Sequence, residues 1–235
     1  MIKQLFTLFG LSKANLETQV AKVEQLLAAG QCESALKKTN RLIQSNQEDF
    51  RLWFLKGKTL FNITKLPEAL DVNGKTVPAF ARGLFNRGKL IEAVEALEVA
   101  LSINPQDVRT LCLMGTVKSN LNNISDAEKI FQKAHEIDRQ DAEPILGMGI
   151  CCAKNGKDSE AIKCFDSALA LNPSDRKILV ALFVCKALSL SVLNKHDGAI
   201  EVLNLALIRF PGDVWASQAM DAIKKAKLEQ LKRAV

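Results

Sequence analysis

The chain has 235 residues, 48% of them apolar and 25% charged, with no tyrosine and only six prolines; this balance argues against disorder and suits packed helices. A net charge of +6 and a pI near 9.0 favour acidic partners, but weakly and without specificity. The six cysteines, Cys32, Cys112, Cys151, Cys152, Cys164 and Cys185, form no CxxC pair, and His135 and His196 do not stand at zinc-ligand spacing beside them. No metal and no cofactor is therefore expected, and the thiols read as reduced, mostly buried small hydrophobes of a cytoplasmic protein.

In chain order, residues 1–14 come first as a short apolar segment, with Ile2, Leu5, Phe6 and Phe9 at helical spacing. It is too brief for a convincing signal peptide, and no later apolar run is long enough to span a bilayer. Packing on the first helical unit, or into a groove of this chain or a neighbour, is its expected use, with weak attachment to a membrane surface second. From there a ruler takes over: Ala35, Ala69, Ala93, Ala127, Ala161 and Ala199 are separated by 34, 24, 34, 34 and 38 residues. A recurring period of 34 points to a stack of helical hairpins.

The units so defined are 16–49, 50–73, 74–107, 108–141, 142–175 and 176–213, followed by a closing helix over 214–235. The short step after Ala69 leaves room for about two helical turns before the turn at Asn73-Gly74, so unit two is expected to lack a full second helix. The four extra residues before Ala199 are best placed as one added turn of the helix running from about Asp175 to Leu193. In the closing helix Trp215, Ala219, Ala222, Ile223 and Ala226 are expected inward, with Lys224, Lys225, Lys227, Lys232 and Arg233 outward.

Other landmarks keep their own offsets from the alanines. Small residues (Gly57, Ala81, Gly115, Gly149, Ala187) recur twelve places before them and Leu97, Phe131, Phe165 and Leu203 four places after, so small is expected to face large across each hairpin. Ala100, Ala134, Ala168 and Ala206 follow, and Pro105, Pro173 and Pro211 stop the second helices, each with an aspartate two places later. With Trp53 where the family often has tryptophan, the chain resembles the tetratricopeptide repeat (TPR) family over roughly residues 16–213. The resemblance implies an all-α, right-handed α-solenoid of about six hairpins, the second truncated, with a C-terminal capping helix.

Catalytic chemistry finds little support. Residues 69–76 fit a relaxed phosphate-loop pattern, but that mechanism needs a strand before the loop, and a turn exposing Lys75 is the better reading. Neither histidine has a nucleophile placed beside it, and the chain is not expected to be an enzyme. The resemblance instead implies a groove lined by the first helices of successive units. Carried over, units two to four present Arg51, Lys58, Lys75, Arg82 and Arg109, with Phe54, Phe61 and Phe85 between them and Asn62, Asn86 and Asn120 at one repeated offset. Units five and six present Leu146, Ile150, Val184, Leu188 and Val192 on the same face.

The expected function is a non-catalytic adaptor or scaffold binding a protein or peptide with acidic and apolar parts in that groove. Self-association is a second expectation. The alternative is a nucleic-acid-binding helical-repeat protein using basic surfaces, although no specific nucleic acid is expected because base-reading motifs are lacking. Membrane contact is expected to be at most peripheral, through residues 1–12. The set of lysines and asparagines that in similar chaperone-binding proteins clamps an acidic C-terminus is not restored, since Val20, Glu24, Leu55 and Ala79 stand at its places.

Overall fold

A computed structural model describes residues 13–65 and 79–233, with side-chain surroundings over 15–65 and 86–232. The expectations for the apolar stripe of residues 1–12 and for Ala69, Lys75 and the 69–76 turn lie outside the described residues. The described residues form eleven helices and no strand: α1 Lys13–Ala28, α2 Cys32–Ser45, α3 Phe50–Ile63, α4 Ala79–Ile103, α5 Val108–Asn120, α6 Ile124–Ile137, α7 Ala142–Lys154, α8 Asp158–Ala170, α9 Arg176–Val192, α10 His196–Arg209 and α11 Val214–Arg233. They divide into two compact units, residues 1–121 and 122–235.

One residue type starts most of the odd-numbered helices. Asp49, Asp107, Asp141, Asp175 and Asp213 stand immediately before α3, α5, α7, α9 and α11, and each carboxylate accepts from backbone amides of the first turn. These amides have no partner within their helix, so an aspartate there typically contributes about 1 kcal/mol. The even-numbered α2, α6, α8 and α10 have no such side-chain cap. They follow tight turns in which a left-handed residue reverses the chain, Gly156 at φ +73 before α8 and Asn194 at φ 59 before α10.

In the first unit, α1, α2 and α3 enclose Leu16, Val20, Val23, Ala35, Leu42, Leu52 and Leu55. Trp53 lies half-buried against this core, and its indole Nε1 donates to the Gln47 carbonyl at 2.8 Å. The main departure from the sequence reading comes next. Where a hairpin is expected over 74–107, Ala79–Ile103 is one continuous helix of 25 residues, and it packs along α3. A Cβ added to Gly57 of α3 would come within 2.6 Å of Leu97 Cγ and 3.3 Å of the Ala93 carbonyl oxygen. The first helix of unit two therefore has a full-length partner, and the 24-residue step is an insertion inside that pair. The physical reason is packing: Leu97 and Ala93, both wholly buried, need the flat surface that Gly57 supplies.

The second unit follows the sequence reading more closely. A Cβ on Gly149 would meet the Phe165 ring at 2.4 Å, the small-against-large contact expected across that hairpin, and one on Gly147 would meet Phe131 at 2.3 Å. The four extra residues are taken up by α9, which has 17 residues where α7 has 13. Its core joins Val180, Val184 and Ala187 of α9 to Ala199, Leu203 and Ala206 of α10 and to α11. In α11 the buried stripe is Ala216, Ala219, Met220 and Ile223, while Trp215 is 46% exposed and Ala222 is exposed, against expectation. The cap explains the difference: Asp213 fixes the first turn, and the stripe then falls one residue later than Trp215.

Two glycines give opposite expected outcomes. Gly149→Ala drives a methyl into Phe165, which is fully buried, and should destabilise the protein by about 1–3 kcal/mol although alanine is the better helix former. Gly88→Ala, inside α4 with nothing within 4 Å of the new methyl, should stabilise by about 0.5–1 kcal/mol. Urea unfolding of both variants checks the close contact and the continuity of α4 together.

Candidate functional site

The basic and aromatic residues carried over from the sequence do not share one fate. Phe54, half-buried on α3, has the Lys58 ammonium 5.7 Å and the Arg109 guanidinium 5.6 Å from its ring centroid. The spacing of four along α3 places Lys58 one turn beyond Phe54, and α5 brings Arg109 to the same ring. Lys58 and Arg109 are exposed, and neither makes an ion pair or hydrogen bond among the described residues. Each cation–π contact contributes about 0.5–1 kcal/mol at an exposed site, while the two like charges repel one another. An anion laid beside the ring would relieve that repulsion.

Arg51 is already engaged. Its guanidinium donates to both carboxylate oxygens of Asp49, at 2.9 and 2.6 Å, and to Glu17 of α1 at 2.7 Å. The Arg51 guanidinium holds the Asp49 carboxyl below the usual carboxylate range, and the carboxylates in turn hold Arg51 more firmly protonated. Arg51 thus braces the start of α3. Asn86 Nδ2 donates to the Thr64 carbonyl at the end of α3, and Asn120 Nδ2 to the Thr116 carbonyl one turn back. Phe61 is buried, with the Lys65 ammonium 4.2 Å from its ring centroid, and Asn62 is half-buried. The side chains of Arg82 and Phe85 lie outside the described residues.

In the second unit the apolar set divides. Leu146 and Val184 are core residues, 8% and 0% exposed, and present nothing to a ligand. Ile150 is half-buried against the same core as Leu146. Leu188 and Val192 do reach the surface of α9, at 42% and 66% exposure. Beside Val192, an open pocket of about 340 Å³ is lined by Ser191, Asn194, His196, Ala226, Glu229 and Gln230. His196 is buried and shares a 3.0 Å hydrogen bond with Ser191, so it stabilises the turn into α10.

Nothing among the described residues gathers three metal-ligating side chains. Cys32, Cys112 and Cys151 are buried and Cys152, Cys164 and Cys185 half-buried. Burial pushes the thiols of Cys151, Cys152 and Cys185 up to about 11, so they remain protonated at neutral pH. The role of the aspartates as caps is the feature sequence reasoning missed, although their places two residues after Pro105, Pro173 and Pro211 carried the signal.

The raised thiols fix a sign for the pH dependence. A proton held more tightly in the folded chain stabilises it below the unfolded value near 9.0, and that contribution is lost as pH rises through about 11. The urea midpoint should therefore hold steady from neutral pH to pH 9.0 and fall above it, with less of a fall in Cys151→Ala/Cys185→Ala.

Residues 121–182 match the family model described as tetratricopeptide repeat. Among solved structures, a thermophilic TPR protein of Thermus thermophilus is similar over 90% of this chain and 98% of its own, with 17% identity and a TM-score of 0.66. The APC/C hetero-tetramer Cut9–Hcn1 is similar over 89% of this chain and 36% of its own, with 18% identity and a TM-score of 0.69. YrrB, a TPR protein with an unusual peptide-binding site, is similar over 86% of this chain and 90% of its own, with 18% identity and a TM-score of 0.52. No curated protein sequence matches the chain. Residues 121–182 thus match the tetratricopeptide-repeat model by sequence, and over 90% of its length the chain is similar in fold to a solved tetratricopeptide-repeat protein.

Proposed function

We propose that this protein is a non-catalytic adaptor that binds an extended, acidic segment of a partner protein against α3 and α5. Tetratricopeptide repeats are in general protein–protein interaction scaffolds, and one of the similar structures is a protein with a peptide-binding site. The observation that carries the reading is the convergence of Lys58 and Arg109 on Phe54 without a counter-ion among the described residues. A carboxylate of the partner would accept from both cations while an apolar neighbour covered the ring face. Leu188 and Val192 supply exposed apolar surface on α9 for a further part of the same or another partner.

The test is capture of partners by the full chain and by two variants. Lys58→Glu/Arg109→Glu should weaken binding of an acidic partner by about tenfold or more, and raised salt should do the same to the parent. Arg51→Ala should lower stability by about 1 kcal/mol, because it unties Asp49 and Glu17, and leave partner affinity nearly unchanged. Equal capture by parent and Lys58→Glu/Arg109→Glu would sink the acidic-segment reading.

A further inference from the structure

The closing helix outruns the core it closes. Its buried stripe ends at Ile223, and from Leu228 to Lys232 every residue is exposed, Leu228 at 53% and Leu231 at 56%. Lys227 pairs with Asp197 at the start of α10 and so ties the helix down just before this extension. Spacings of three, four and seven gather Lys224, Lys225, Leu228 and Lys232 on one side of α11, with the exposed Asp221 one turn before Lys225 on that side and Leu231 at its margin toward the buried Met220. Lys224, Lys225 and Lys232 are exposed and make no ion pair among the described residues.

Two solvated leucines a turn apart beside three lysines are poorly explained as a solvated face. A polar terminal helix needs no leucine there, and the stripe that holds α11 in place is complete without them. A nucleic-acid backbone would satisfy the lysines and leave both leucines in water. An anionic bilayer surface takes both: ammonium groups meet lipid headgroups, and the leucines enter the acyl boundary on the side the lysines face. From this charge complementarity and the two exposed leucines beside the lysines, we propose that the C-terminal half of α11 docks the protein on an anionic lipid surface. The patch is small, so the attachment is weak and reversible, and it does not depend on the segment bound at Phe54.

The test is flotation of the full chain with vesicles of phosphatidylcholine alone or mixed equally with phosphatidylserine. Recovery should require phosphatidylserine and fall at high salt. It should also drop by about tenfold in Leu228→Ser/Leu231→Ser and in Lys224→Glu/Lys225→Glu. Both pairs are exposed, so unchanged thermal unfolding should accompany the loss. Several results would overturn the proposal: no recovery on either vesicle, recovery indifferent to phosphatidylserine, or leucine variants that bind like the parent. Tighter retention on RNA, untouched by the leucine substitutions, would assign the lysines to nucleic acid. Dissociation of a dimer by those substitutions, without any lipid binding, would make the patch a contact between copies.

Discussion

The close approach of α3 to α4 and of α7 to both α6 and α8 rests on a missing side chain. Gly57 lets Leu97 and the Ala93 backbone reach α3, and Gly149 and Gly147 let the rings of Phe165 and Phe131 reach α7. Each glycine costs its helix about 1 kcal/mol of propensity, which the large apolar group lying in the gap more than offsets. The arrangement also orients the helix. With the glycine face turned toward its partner, the remaining faces must meet the neighbouring pair or the solvent, and Phe54 is placed on α3 by that constraint.

Electrostatics acts at the helix ends more than along the surface. The aspartates that precede α3, α5, α7, α9 and α11 fix where each first turn begins and, through the pitch of the helix, which residues point inward. Arg51 joins this framework by pairing with the cap of its own helix and with α1. Lys58 and Arg109 are outside it: both are exposed and neither makes an ion pair among the described residues.

Much of the fold was legible because its signals are local. The pairing of Gly149 with Phe165 and the longer α9 both follow from spacings within one period. Gly57 was harder, because its partner Leu97 lies forty residues away, beyond the insertion, and a fixed ruler assigned those residues to a separate unit. The aspartate caps give a second ruler that skips from Asp49 to Asp107 and so counts one pair where the alanines counted two. At the candidate site, the resemblance carried Phe54, Lys58 and Arg109 onto one face, and the structure brings their side chains together. The same signals could not separate Leu146 and Val184, which are core, from Leu188, which is not, because these apolar positions all obey one helical period and only tertiary neighbours decide burial.

The insertion between α3 and the packed part of α4 sits within a pair of helices whose contact is otherwise intact. Residues added or removed there fall between two helices whose register is held by Gly57 against Ala93 and Leu97. That stretch is consequently the natural place in this molecule for sequence to diverge, or for a new segment to be grafted, while Phe54 and its two cations keep their positions.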